Sequence, residues 1–280
     1  MVYLILAVAA SAAVTLVLRA SGSGQGNRYG VLLGNYLTCV VLALIQTLRS
    51  PALPKAAAVL CGMIGGVLFV AGLVMMQRSI EVNGASLTGA FSKLGLLVPL
   101  ALSVTVFREQ VSAVRLAGIL LACAAILVIH SDHSPDEARS VSTPLLLGTL
   151  LGCGSGDAMA KVFEEVGEHA QEPQYFLILF ICASLITYGL GALETNRTGN
   201  RITRRGLGSG ILVGVPNYAS AYLLLAALNR LPALLVYPVV SAGTLLVILV
   251  LSALLFQERL TRRMLAGTGM ILAALVLLNI

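Results

Sequence analysis

The sequence predicts an all-α integral membrane protein of ten transmembrane helices in two inverted five-helix repeats. Three observations carry that reading. The composition is 58% hydrophobic and only 11% charged, with a mean hydropathy of +0.94, so a water-soluble globule could not cover its own apolar surface. The apolar runs are long and unbroken, near the ~20 residues that a helix needs to cross a bilayer, and lack the alternation of ~10-residue barrel strands. The chain also repeats itself: shifted by 149 residues, Gly84 to Ile129 falls without a gap on Ala233 to Leu278. Phe107-Arg108-Glu109 lands on Phe256-Gln257-Glu258, Leu116-Ala117-Gly118 on Leu265-Ala266-Gly267, Ser92 on Ser241 and, upstream, Gly65 on Gly214.

In chain order, the first helix spans 2–18, read as a membrane helix because a basic leader and a small-residue cleavage site are lacking. A Gly-rich loop, 21–28, leads to the second helix, 29–48, whose apolar run is interrupted by Asn35, Tyr36 and Thr38. A loop with two prolines precedes the third helix, 57–77, and the fourth (84–106) and fifth (113–130) follow. Ser131 to Ser142 is a polar linker that separates a first repeat, 1–130, from a second, 143–280. The second repeat contains helices at 143–162, 174–193, 208–228, 232–255 and 264–279. Its loops include the acidic Glu164 to Glu172 and the arginine-rich Glu194 to Arg205. Five helices per unit is an odd number, so two copies in one chain must enter the membrane from opposite sides, a construction found in secondary transporters.

The residues that bear on function are few. A charge at the bilayer centre costs about 2.5–3.5 kcal/mol on insertion scales, so an intramembrane ionisable residue marks a candidate site. Lys93 lies about nine residues inside the nearer end of its helix, about 13 Å deep at 1.5 Å per residue. Its repeat mate is Ala242, so the repeat does not require it. Thr88 and Ser92 stand four apart on one helix face and map onto Tyr237 and Ser241, again four apart, giving two polar stripes at matching depth. Pro216 precedes Asn217 and Tyr218, Tyr222 follows one turn on, and Pro238 adjoins Tyr237. Prolines here free backbone carbonyls that can face a cavity. Asn35 is a further candidate. These nine side chains, Lys93, Thr88, Ser92, Asn217, Tyr218, Tyr222, Tyr237, Ser241 and Asn35, form the expected substrate site, with Asp157 a possible coupling group that either faces Lys161 one turn away or reaches Lys93.

Other features carry less. Gly154-Ser155-Gly156-Asp157 matches the Gly-x-Gly-Asp of intramembrane aspartyl proteases, but the other aspartates, Asp132 and Asp136, lie in the linker, and that chemistry needs two carboxylates sharing a proton. Gly210 and Gly214 form a GxxxG that suits internal packing as well as dimerisation. His130, His133 and His169 sit at helix ends or in loops and assemble no catalytic set. The five cysteines, Cys39, Cys61, Cys123, Cys153 and Cys182, lie within apolar runs and have no metal-ligand spacing, so the reading includes no metal and no cofactor. The net charge of +6 sits in loops, where it suits lipid headgroups and not nucleic acid. Asn196-Arg197-Thr198 is a glycosylation sequon inside an arginine-rich loop.

Ten helices in a five-plus-five repeat, each half ending in a Phe-x-Glu hinge and a Leu-Ala-Gly helix, resemble the drug/metabolite transporter superfamily and, within it, the EamA-like transporters. Arg19 and Lys161 resemble a basic residue that this family often carries at the ends of its first and sixth helices. The resemblance implies a substrate cavity between the halves, lined largely by the third, fourth, eighth and ninth helices. It implies a carrier, not an enzyme, in a plasma or bacterial inner membrane, partnered by a small-molecule substrate and the bilayer as a monomer or homodimer. A buried cation among hydroxyls, no Trp and 5% aromatics lean toward an amino acid or another anionic or zwitterionic solute. A multidrug or cation exporter of the same fold and a lipid flippase are the alternatives. The resemblance also implies cytoplasmic termini, whereas the loop charges, six Lys/Arg on that side against eleven on the other, favour termini outside.

Overall fold

Each apolar run of the sequence forms a helix in the computed structural model, which describes residues 1–20, 29–49, 53–129, 142–256 and 262–278. In order these are α1 (Val2–Ala20), α2 (Tyr29–Arg49), α3 (Ala56–Asn83), α4 (Ala85–Leu94), α5 (Leu97–Thr105), α6 (Ala113–Ile129), α7 (Thr143–Val166), α8 (Glu172–Thr198), α9 (Arg204–Leu228), α10 (Ala233–Phe256) and α11 (Arg262–Leu278), with a 3-10 turn at His169–Gln171. The Gly-rich loop 21–28, the linker over 131–141, the Arg19 side chain and the Gln257-Glu258 part of the second hinge lie outside the described residues.

Six stretches among the described residues are long and apolar enough to cross a membrane: Tyr29–Arg49, Ala56–Asn83, Leu87–Thr105, His169–Thr198, Arg204–Leu228 and Ala233–Leu251. Val2–Val17 and Ala113–Ile129 are apolar but shorter. Their outer faces show large hydrophobic side chains, Leu48, Leu185 and Leu254 among them, where a soluble protein would place charge. The chain is a multi-pass helical membrane protein.

Several helices outrun the apolar stretch that marks them. α3 continues to Asn83, α7 to Val166 and α8 to Thr198, so Arg78, Glu164, Glu165 and Arg197 stand on helices, not in loops. Hydropathy reports the lipid-crossing part of a helix; the backbone hydrogen bonds continue into water. Helix ends are chemically marked: the Thr203 hydroxyl accepts from the Gly206 amide at 3.1 Å at the start of α9, and Gly199 closes α8 in the left-handed conformation at φ 75°.

The run expected as one helix over 84–106 is two, α4 and α5, broken at Gly95-Leu96. Pro99 causes the break. It has no amide hydrogen for the Gly95 carbonyl, and its ring crowds that carbonyl. The chain answers by tightening, with Leu96 N donating to Lys93 O at 3.3 Å and Val98 N to Gly95 O at 2.9 Å. Lys93 therefore stands on the last turn of α4, beside the break.

Two apolar cores form. One gathers Leu94, Leu100, Ile126, Leu234, Val236 and Ile271 from α4, α5, α6, α10 and α11; the other gathers Tyr36, Val70, Phe163, Phe176 and Phe180 from α2, α3, α7 and α8. α3 packs on α7 and α8, α2 on α8 and α9, α1 on α9 and α10, α6 on α11, and α4 and α5 on α7. Close approach depends on glycine. A Cβ on Gly34 would stand 2.3 Å from the Leu207 carbonyl oxygen, and one on Gly210 would stand 2.2 Å from that of Val31. Gly210 and Gly214 thus turn to α2 within the chain, which is the internal use of that GxxxG.

Gly34→Ala and Gly210→Ala should each destabilise the α2–α9 pair by about 1–3 kcal/mol, read as a lower thermal midpoint in detergent. Gly269→Ala, with nothing near its Cβ, should leave the midpoint unchanged or slightly raise it.

Candidate functional site

Where the two cores meet, Lys93 of α4 and Asp157 of α7 face the same cavity of about 270 Å³. Phe69, Leu73 and Met76 of α3, Ser92 of α4, Cys153 of α7 and Ser241 of α10 complete its wall. Lys93 and Asp157 interact electrostatically across it, but no contact ion pair within 4 Å joins them among the described residues. Two opposite charges held apart in an apolar surrounding leave room for a solute that carries charge of its own. Asp157 is positioned by its backbone, since the Tyr237 hydroxyl donates to the Asp157 carbonyl at 2.9 Å. Ser92 is positioned by its contact with the Cys153 sulfur at 3.5 Å.

A second chamber, about 210 Å³, adjoins the first and shares Phe69 and Asp157 with it. Tyr175, Phe176 and Phe180 of α8 and Asn217 and Ser220 of α9 face it. The aromatic rings pack on one another, with Phe176 and Phe180 at 6.2 Å and Phe176 and Tyr218 at 5.9 Å between centroids. Asn217 donates to Asn35 Oδ1 at 3.1 Å, which ties α9 to α2 just after Pro216. The Ser220 and Ser11 hydroxyls meet at 2.5 Å and tie α9 to α1.

Of the residues expected from the sequence, Lys93, Asp157, Ser92 and Ser241 come together around the first chamber, and Asn217 faces the second. The others stand behind or apart. Thr88 is fully buried and its hydroxyl pairs with that of Ser79 at 2.8 Å. Tyr237 lies behind Asp157, and Asn35 behind Asn217. The Tyr218 hydroxyl donates to Gln46 at 2.8 Å. Tyr222 stacks on Tyr218 and lines a separate surface hollow with Tyr3, His169, Glu172 and Arg230.

One turn beyond Asp157, Lys161 turns away from it. Its ammonium, 4% exposed, meets Glu109 at 2.9 Å and Glu164 and Glu165 at 2.6 Å each, and lies 5.6 Å from the Phe107 ring centroid. Glu109 also accepts from the amides of Ala233 and Leu234 at 3.2 and 3.3 Å, so the hinge carboxylate caps α10. The hinge turns sharply to reach it, with Arg108 in the left-handed region at φ 55°. The network thus joins the α5–α6 loop, α7 and α10.

The sequence reading did not single out Phe69, Cys153, Tyr175, Phe176, Phe180 and Ser220. The available signal is the spacing of aromatics on α8, where Phe176 and Phe180 stand four apart on one face with Tyr175 beside them. A whole-chain aromatic fraction conceals such a cluster.

Comparisons with known proteins point to a membrane transporter. The model of the EamA-like transporter family matches residues 145–280, in agreement with the sequence resemblance. The p-hydroxybenzoic acid efflux pump subunit AaeB of Edwardsiella ictaluri (strain 93-146) is 26% identical over 119 residues, 42% of this chain and 18% of that protein. A solved crystal structure, described only as that of a protein, covers 100% of this chain and 97% of its own at 12% identity with a TM-score of 0.74, which shows a shared fold. Both sequence matches point to a non-enzymatic transporter.

Lys161→Met, which leaves Glu109, Glu164 and Glu165 without their cation, should cost about 3–5 kcal/mol in an unfolding titration. Glu165→Gln, at a position 34% exposed, should change stability by less than about 1 kcal/mol.

Proposed function

We propose that the protein is a secondary transporter that moves a small polar metabolite, an amino acid or another anionic or zwitterionic solute, by alternating access through the Lys93–Asp157 cavity. The observation that carries the proposal is the pair of opposite charges facing one cavity without closing on each other. A zwitterion can satisfy both, its carboxylate on Lys93 and its ammonium on Asp157; an anion can take Lys93 alone. The hydroxyls of Ser92 and Ser241 supply neutral hydrogen bonds at the same depth. Carriage of p-hydroxybenzoic acid, an acid, by the partial relative supports the anionic end of this range.

In this reading ten helices cross a plasma or bacterial inner membrane, α4 and α5 together making one crossing, and residues 1–130 and 143–280 are inverted repeats joined by 131–142. The helix pairing supports it. Exchanging the halves turns the α3–α7 contact into α9–α1, and α2–α9 into α8–α3, while α6–α11 and α2–α8 return themselves. Such pairing lets one half rock against the other around a site at their junction. A second reading has its own support, since Asp157 beside Phe69, Tyr175, Phe176 and Phe180 also suits an organic cation.

Thermal unfolding of the detergent-purified protein with amino acids, organic acids and cationic dyes separates the two. A carboxylate-bearing solute at about 100 times its Kd should stabilise the wild type by about 2.7 kcal/mol, and Lys93→Ala should remove that shift while remaining folded. Stabilisation by dyes alone, abolished by Asp157→Asn and indifferent to Lys93→Ala, would establish the cation exporter instead.

A further inference from the structure

The two chambers differ in chemistry and share two lining residues. The first holds Lys93, Asp157, Ser92 and Ser241. The second is walled mainly by Phe176, Phe180, Tyr175 and Leu179. Phe69 and Asp157 border both. The half-buried Phe69 ring is braced edge-on by Tyr36 at 5.9 Å between centroids, a residue 0% exposed. On its other side it lies against Gly156 of α7, where a Cβ would approach its Cδ2 to 3.3 Å. The glycine leaves the space that the ring occupies, so the ring's position depends on a residue of α3 and a residue of α7 together.

Neither chamber alone matches an amphiphile. The charged chamber has little aromatic wall beyond Phe69, and the aromatic chamber has charge only at the edge where Asp157 stands. An extended solute that satisfies Lys93 and Asp157 with its head must place its body past Phe69. We propose that the chambers are the head and body subsites of a single substrate, a carboxylate or zwitterion with a flat apolar or aromatic body, and that Phe69 is the specificity-determining partition between them. This rests on the transport reading above and adds the substrate's body to it. With the ring in place, small solutes occupy the charged chamber alone. With the ring rotated out of this position, the chambers join, and the body lies among Phe176, Phe180 and Tyr175, where aromatic contacts favour it over an aliphatic chain of the same length.

Two substitutions push the partition in opposite directions. Phe69→Ala removes it, and Gly156→Ala presses a methyl group against it. The probes are glycine, alanine, phenylalanine, tyrosine, benzoate and 4-hydroxybenzoate, measured by thermal shift of the purified protein and by uptake into proteoliposomes. In the wild type the aromatic probes should bind more tightly than the small ones. Gly156→Ala should cut the apparent affinity for aromatic probes by about tenfold or more and leave glycine and alanine within about twofold. Phe69→Ala should alter the ratio of aromatic to small-probe affinity by a similar factor, with Phe69→Leu as a bulkier variant should the alanine form fail to fold. If probes bind through Lys93 yet their ranking ignores body size and is the same in all three variants, the subsite assignment fails while the transport reading stands. If no probe binds in a Lys93-dependent way, the transport reading fails first and this assignment with it.

Discussion

The ammonium of Lys161 is the fixed point on which the charged cavity depends. A nearly buried lysine in a membrane bundle is unstable unless its charge is met, and here three carboxylates meet it. Glu164 and Glu165 come from the same helix and would do so in an isolated α7. Glu109 comes from the α5–α6 hinge, and its two oxygens also receive the first amides of α10. One side chain thus places α10 against α7. Four residues into α10, Tyr237 then reaches the Asp157 carbonyl, and one further turn brings Ser241 to the cavity wall. The position of the cavity's acidic residue follows from the same contacts.

The opposite charge is placed by a different device. Pro99 breaks the helix after α4, Gly95 lets the broken turn lie against α7, and Lys93 stands on the last turn before the break. Lys93 faces the cavity together with Ser92 and Asp157. Lys93 and Asp157 are therefore placed by different contacts, and neither set brings the two side chains together.

Much of this was legible in the sequence, and the limits are physical. Hydropathy located the apolar runs, because crossing lipid demands apolar side chains, but it read α4 and α5 as one helix and ended α3, α7 and α8 early, because helices continue into water with polar surfaces. The intramembrane charge drew attention to Lys93, and the four-residue spacing placed Ser92 and Ser241 at its depth. The same spacing also drew in Thr88 and Tyr237, whose hydroxyls satisfy Ser79 and the Asp157 backbone instead; a polar stripe on a helix does not reveal which of its members bonds to a neighbour. Two options were left open for Asp157, Lys161 or Lys93. Geometry favours Lys93, since Lys161 is saturated by glutamates that the sequence placed in a loop. The aromatic chamber escaped notice because the sequence reading weighed aromatics only as a whole-chain fraction, which does not show that Tyr175, Phe176 and Phe180 gather on one wall.

Cys153 offers the most direct test that the Lys93–Asp157 cavity is the aqueous route, because this native thiol lies in its wall. The measurement is its rate of modification by a small, charged, membrane-impermeant thiol reagent, in a variant with serine at positions 39, 61, 123 and 182, reconstituted in vesicles with and without a solute that stabilises the protein. The account predicts that Cys153 reacts from water and that the bound solute slows the reaction markedly. A thiol unreactive from both faces, or one that reacts at the same rate with every stabilising solute, would contradict it.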